Sequence, residues 1–160
     1  MFLKKLILYS MLFNAVICAP EDDFEDCSLV DCAAVDDSVY FEFIDNTTGA
    51  NLITNGTYQA AQITISDADT NTIDFEVQKD FENQDILIID IQNTPIGEQT
   101  YQISLADTTT FTFNITTFDG AGSFCCGPYT GIDDASLSGI AGELTNSDIL
   151  PVRVTVFVPE

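Results

Sequence analysis

From Val39 onward, apolar side chains recur at every second residue, and that period decides most of what the chain is able to fold into. In VYFEFID, Val39, Phe41 and Phe43 point one way while Tyr40 and Glu42 point the other. TIDFEVQK repeats the pattern with Ile73, Phe75 and Val77, a row that Lys79 continues. TYQISLAD does so with Tyr101, Ile103 and Leu105, and TFTFNITT with Phe111, Phe113 and Ile115. VRVTVFV places Val152, Val154, Val156 and Val158 on one side. DILIIDI is apolar on both faces, as a central strand would be. Further strands are predicted around Gln62 to Ser66 and Ala135 to Ser138. No segment carries the 3.6-residue apolar period of an amphipathic helix.

Turn signals punctuate these runs. Asn55-Gly56 reads as a hairpin turn, since both positions tolerate positive φ. NTPIGE reads as a turn with Pro95 at its second position, and Asp119-Gly120 as another. The fold class that follows is all-β: an antiparallel immunoglobulin-like β-sandwich of about eight strands, with a small β-barrel as the alternative. Phenylalanine dominates the aromatic residues, with 12 against 5 tyrosines and no tryptophan. On an alternating apolar face these rings are expected in the core, not on a binding platform.

The first twenty residues follow different rules. MFLKKLILYSMLFNAVICAP opens with Lys4 and Lys5 and continues as an apolar run to Ile17, too short to span a bilayer comfortably. The run ends at Cys18, and the acidic stretch APEDDFEDC begins one residue later. These features resemble the leader of a bacterial lipoprotein of the Bacteroidota type, in which the cysteine is acylated and an acidic cluster behind it directs surface export. The resemblance covers the leader and this acidic segment. It implies a signal peptide over residues 1–17 and a lipidated cysteine and acidic tether over 18–38; the alternating strands, not the resemblance, set a β-sandwich domain over 39–160. It also implies an outer-membrane or cell-surface location through a lipid anchor. An ordinary signal peptide cut near Ala19 is the competing expectation, although Pro20 would then follow the cut.

Charge narrows the partners. The formal net charge is −22, from 26 acids against 4 bases, and beyond the leader only Lys79 and Arg153 are positive. Such a field repels phosphate backbones, so no nucleic-acid partner is expected. It suits a secreted solute or a chain that gathers cations. Asp67, Asp69 and Asn71 start like a calcium loop, but Thr72 replaces the glycine and Gln78 the bidentate glutamate. A polar turn is the favoured reading. A weak calcium site is the alternative, with Asp133 and Asp134 as further candidate ligands, and no other cofactor is expected.

Chemistry is limited by what is missing. There is no histidine, so Ser-His-Asp and Cys-His catalysis and histidine zinc sites are excluded. Adjacent aspartates on a strand face opposite sides, so Asp133-Asp134 is not read as an acid/base pair. No enzymatic activity is expected.

SFCCGPYTG places Cys125 beside Cys126. Export leads into an oxidising compartment where pairing is the default, and with Cys18 spent the remaining thiols are Cys27, Cys32, Cys125 and Cys126. Four cysteines allow three connectivities. Joining the adjacent pair closes a cramped ring, so either crossed pairing of Cys27 and Cys32 with Cys125 and Cys126 is expected instead, the two late cysteines pointing to opposite faces of an extended strand. A redox-active adjacent pair and a zinc site built from all four cysteines are the rivals. The functional expectation is a non-enzymatic, surface-anchored lipoprotein presenting one disulfide-clasped β-sandwich for binding or scaffolding, with an unknown protein or glycan ligand. The alternative is a glycan- or calcium-dependent binding module serving an outer-membrane uptake system.

Overall fold

The computed structural model describes residues 37–122, 125–145 and 152–159. Nine strands form in these residues: β1 Ser38–Asp45, β2 Ile63–Ser66, β3 Glu76–Lys79, β4 Asp85–Asp90, β5 Gly97–Leu105, β6 Thr109–Gly120, β7 Tyr129–Ser138, β8 Ala141–Thr145 and β9 Val152–Val158. They make two sheets. The first has the order β3-β4-β1-β9-β8 and the second the order β2-β5-β6-β7. Neither closes on itself, so the fold is the predicted β-sandwich and not the barrel.

The alternating pattern works as the period demands. Phe41 and Phe43 of β1 and Phe111 and Phe113 of β6 are all buried, and their rings bridge the two sheets. Phe41 meets Phe113 edge to face at 5.0 Å, and Phe43 meets Phe111 at 6.4 Å. Edge-to-face pairs of this kind add about 0.5–1.5 kcal/mol each beyond the area they bury. Val152, Val154, Val156 and Val158 supply the inward side of β9. β1 and β9 pair in parallel, Val39 opposite Val152 and Phe41 opposite Val154, whereas every other pairing among the described strands is antiparallel. Their central place in the first sheet accounts for their dense β-branched and aromatic content.

Several local readings need correction. The row Ile73, Phe75, Val77 is not one strand. Ile73 N–H bonds to Ile65 of the second sheet, while only Glu76–Lys79 pairs with β4, so the segment crosses between layers. Asn55-Gly56 makes no hairpin; it sits in the β1–β2 loop, where Gly56 at φ +81° closes a turn onto Ile53. The turn near Pro95 closes three residues earlier, from Thr94 N–H to the Ile91 carbonyl, so Pro95 follows it instead of standing at its second position. Asp119-Gly120 lies inside β6, paired with Thr130 and Tyr129. β8 is an addition to the expected strands, because AGELT has little alternation to announce it. Its Gly142 is required, since a Cβ there would lie 2.6 Å from the carbonyl oxygen of Thr155.

Candidate ligand-binding face

The calcium candidates are not brought together. Asp67 begins the loop after β2, and its Oδ1 accepts the N–H of Asp69 (2.9 Å) and of Asn71 (2.8 Å). Its Oδ2 accepts from the Asn71 side-chain amide at 2.8 Å. These bonds, led by the Asn71 side chain, hold the Asp67 carboxyl below its usual pKa and use both oxygens to close a turn in which Thr70 adopts φ +66°. Asp133 and Asp134 lie on β7, the opposite edge of the same sheet. Three inter-strand spacings, about 14 Å, separate those edges. Among the described residues no group of three potential ligands is close enough to hold a metal ion.

A bulge explains why Asp133-Asp134 breaks the expected alternation. Thr116 pairs with Asp134 and Thr117 with Ile132, leaving Asp133 as an extra residue, and both aspartates are exposed. Lys79 ends β3 at the surface in an ion pair with Asp85 at 2.7 Å.

Cys125 and Cys126 sit in a turn of the β6–β7 loop, not on an extended strand, so the opposite-faces argument for them does not hold. Gly122 and Gly127 bracket them at φ +61° and +68°, and a Cβ on Gly122 would overlap the carbonyl of Gly127. Cys18, Cys27 and Cys32 lie outside the described residues.

The feature that sequence reasoning missed is the outer face of the second sheet. Its inner side chains are core, and its outer rows are hydroxyls and amides: Thr64, Ser104 and Thr110 in one row, then Ser66, Gln102, Thr112 and Ser138. Next come Thr100, Asn114 and Ser136, with Thr100 Oγ1 donating to Asn114 Oδ1 at 2.9 Å. In the following row, Glu98 and Asp134 flank Thr116. These last two rows line a shallow depression of about 210 Å³. Rows recur about every 6.8 Å along the strands and about every 4.8 Å across them.

Beyond Thr116 the face turns aromatic. Phe118 pairs with Gly131 and Tyr129 with Gly120. The tip of each ring covers the opposing glycine: a Cβ on Gly131 would lie 2.3 Å from Phe118 Cζ, and one on Gly120 would lie 2.3 Å from Tyr129 Cζ. The two rings meet edge to face at 6.2 Å. Phe118 nonetheless keeps 40% of its surface exposed. The signal was legible: Phe-Asp-Gly at 118–120 and Tyr-Thr-Gly at 129–131 share an aromatic-x-Gly spacing, and antiparallel pairing sets each ring against the other arm's glycine. Thr117, buried beneath, anchors the corner by donating from Oγ1 to the Pro95 carbonyl at 3.0 Å and accepting from Gly97 N–H at 3.2 Å.

No family model, no curated protein and no solved structure matches this chain.

Proposed function

We propose that the protein is a non-enzymatic, exported lipoprotein, held at the outer membrane or cell surface through Cys18, whose β-sandwich binds a ligand on the outer face of its second sheet. The observation that carries the binding reading is the juxtaposition of a glycine-seated aromatic pair, Phe118 and Tyr129, with rows of hydrogen-bonding side chains around Thr116. Such a surface offers stacking and polar contacts together, as small-molecule and polymer sites do. The lack of histidine supports a binding role over a catalytic one. Calcium dependence is not favoured, because the Asp67 oxygens are taken by N–H donors.

The clasp belongs to the same proposal. Thr130 N–H reaches Asp37 Oδ2 at 3.5 Å, and Ile91 N–H bonds to the Asp37 carbonyl at 2.8 Å, so the start of β1 lies beside the start of β7. Cys32 is five residues before Asp37 and Cys126 four before Thr130. At about 3.4 Å per residue, both cysteines can be carried to a shared position. A bridge there would secure the root of the aromatic pair.

The anchor is tested by feeding native-host cells an alkyne fatty acid and comparing wild type with Cys18→Ala. Label on the wild type and release of the variant into the soluble fraction is the expected result. An unlabelled, soluble wild-type protein starting beyond Ala19 would overturn the anchor.

A further inference from the structure

Three large apolar side chains are exposed among the described residues: Phe81, Ile96 and Phe118. Phe81 stands alone at the tip of the β3–β4 hairpin. Ile96 and Phe118 do not. Gly97, the first residue of β5, pairs with Thr117, so Ile96 just before β5 and Phe118 of β6 both follow that pair toward the same end of the sheet, and Tyr129 packs against Phe118. One step inward along the same face stand Glu98, Thr116 and Asp134. The two carboxylates flank Thr116 at two inter-strand spacings, about 9.6 Å between backbones.

Their charge defines the ligand. A carboxylate only accepts hydrogen bonds, and the described cations, Lys79 and Arg153, belong to β3 and β9 of the other sheet. An occupant of this face must therefore supply donors. Anionic ligands, including phosphates, sulfated chains and uronates, are repelled by the bare carboxylates and by a net charge of −22. A purely apolar protein surface laid over Ile96 and Phe118 would strip water from Glu98 and Asp134 without replacing their hydrogen bonds. A sugar satisfies both halves: its axial C–H face packs on a ring, and its equatorial hydroxyls donate to carboxylates and exchange bonds with threonine and asparagine.

Resting on the binding-face reading above, we propose that the Phe118–Tyr129 end of the second sheet binds neutral glycans, with a pyranose ring on the aromatic pair and its hydroxyls on Glu98, Thr116 and Asp134. The polar rows beyond, Thr100 with Asn114 and Ser136, extend the track for further sugars of a chain.

Affinity electrophoresis suits this protein, because its strong negative charge gives fast native migration. The oxidised, exported chain carrying Cys18→Ala is run through native gels containing laminarin, hydroxyethylcellulose, glucomannan, xyloglucan or soluble starch, with polygalacturonate and heparin as anionic controls. Retardation by at least one neutral polymer and by neither anionic one is expected. Phe118→Ala and Tyr129→Ala should each weaken it about tenfold, the loss typical of a central aromatic anchor. Tyr129→Phe, which keeps the ring, should retain it. Unchanged thermal unfolding to within a few degrees shows that the alanine variants fold. No retardation of the parent chain by any neutral polymer overturns the glycan inference and leaves the anchor result standing. Retardation that survives both alanine substitutions overturns the face itself. Retardation by the anionic polymers overturns the charge argument.

Discussion

Replacing Gly131 with alanine should destabilise the protein only while Phe118 is present. The Gly131 backbone does not have a positive φ, so an alanine is locally acceptable there and, by restricting the unfolded chain, would alone stabilise by about 0.4–1 kcal/mol. Its Cβ, however, would lie 2.3, 2.4 and 2.9 Å from three atoms of the Phe118 ring, so the ring has to leave. Phe118 is 40% exposed, and its ring packs over Gly131 and against Tyr129 of β7. Losing about half of that covered area, roughly 60 Å² at about 25 cal/mol per Å², costs about 1.5 kcal/mol. The net expectation for Gly131→Ala is a loss of about 0.5–1 kcal/mol, and in a Phe118→Ala background a gain of about 0.5 kcal/mol. The change of sign is the diagnostic, with a coupling energy of about 1.5 kcal/mol. Urea unfolding of the four oxidised proteins of this cycle reads it directly. Equal effects of Gly131→Ala in both backgrounds would refute the account of how the aromatic pair is seated.

Other consequences are independent of that pair. Ala106 and Asp107 turn the β5–β6 hairpin at φ +50° and +57°, a conformation that suits Asn-Gly, so Ala106→Asn with Asp107→Gly should raise stability by about 1 kcal/mol in chemical unfolding. The Asp67 carboxyl, held below its usual pKa by the Asn71 side chain and the turn amides, stabilises the fold above the unfolded value near about 3.9 and loses that effect as pH falls through its folded value. Asp67→Ala should therefore lower the melting temperature at pH 7, with the gap closing below about pH 4. If the clasp joins Cys27 and Cys32 to Cys125 and Cys126, tryptic cleavage after Lys79 in the denatured, thiol-blocked, unreduced protein should leave the two fragments joined until reductant is added; separation under denaturing conditions without reductant would rule the clasp out.

The layers of this fold were legible because period 2 is enforced by burial on one side. Phe41, Phe43, Phe111, Phe113 and the four valines of β9 sit where alternation puts them. Strand ends were less legible, since a turn reads local backbone chemistry that tertiary contacts override. Ile73 alternates perfectly yet bonds to β2, because the Asp67 turn directs it there. The parallel β1–β9 pair links residues more than one hundred positions apart, and no local pattern encodes it. The outer face of the second sheet was missed for another reason. Thr, Ser, Asn and Gln on an outward row look like ordinary solvated surface, and they become a connected array only when register aligns Thr100 with Asn114 and Ser136. Phe118 departs from the expectation that the phenylalanines fill the core, because it is in phase with Thr112, Asn114 and Thr116, which face outward.

The central claim is that the outer face of the second sheet, and its aromatic end above all, is the working surface of this protein. The most direct measurement is amide chemical-shift mapping of the ¹⁵N-labelled, oxidised, Cys18→Ala protein titrated with short oligosaccharides cut from the neutral polymers named above. The account predicts saturable shifts concentrated at Ile96–Thr100, Asn114–Gly120 and Tyr129–Ser136, with the first sheet unmoved. Shifts concentrated instead around Tyr40 and Arg153 or in the Asp67–Asn71 turn, or no saturable shifts with any of these oligosaccharides, would contradict it.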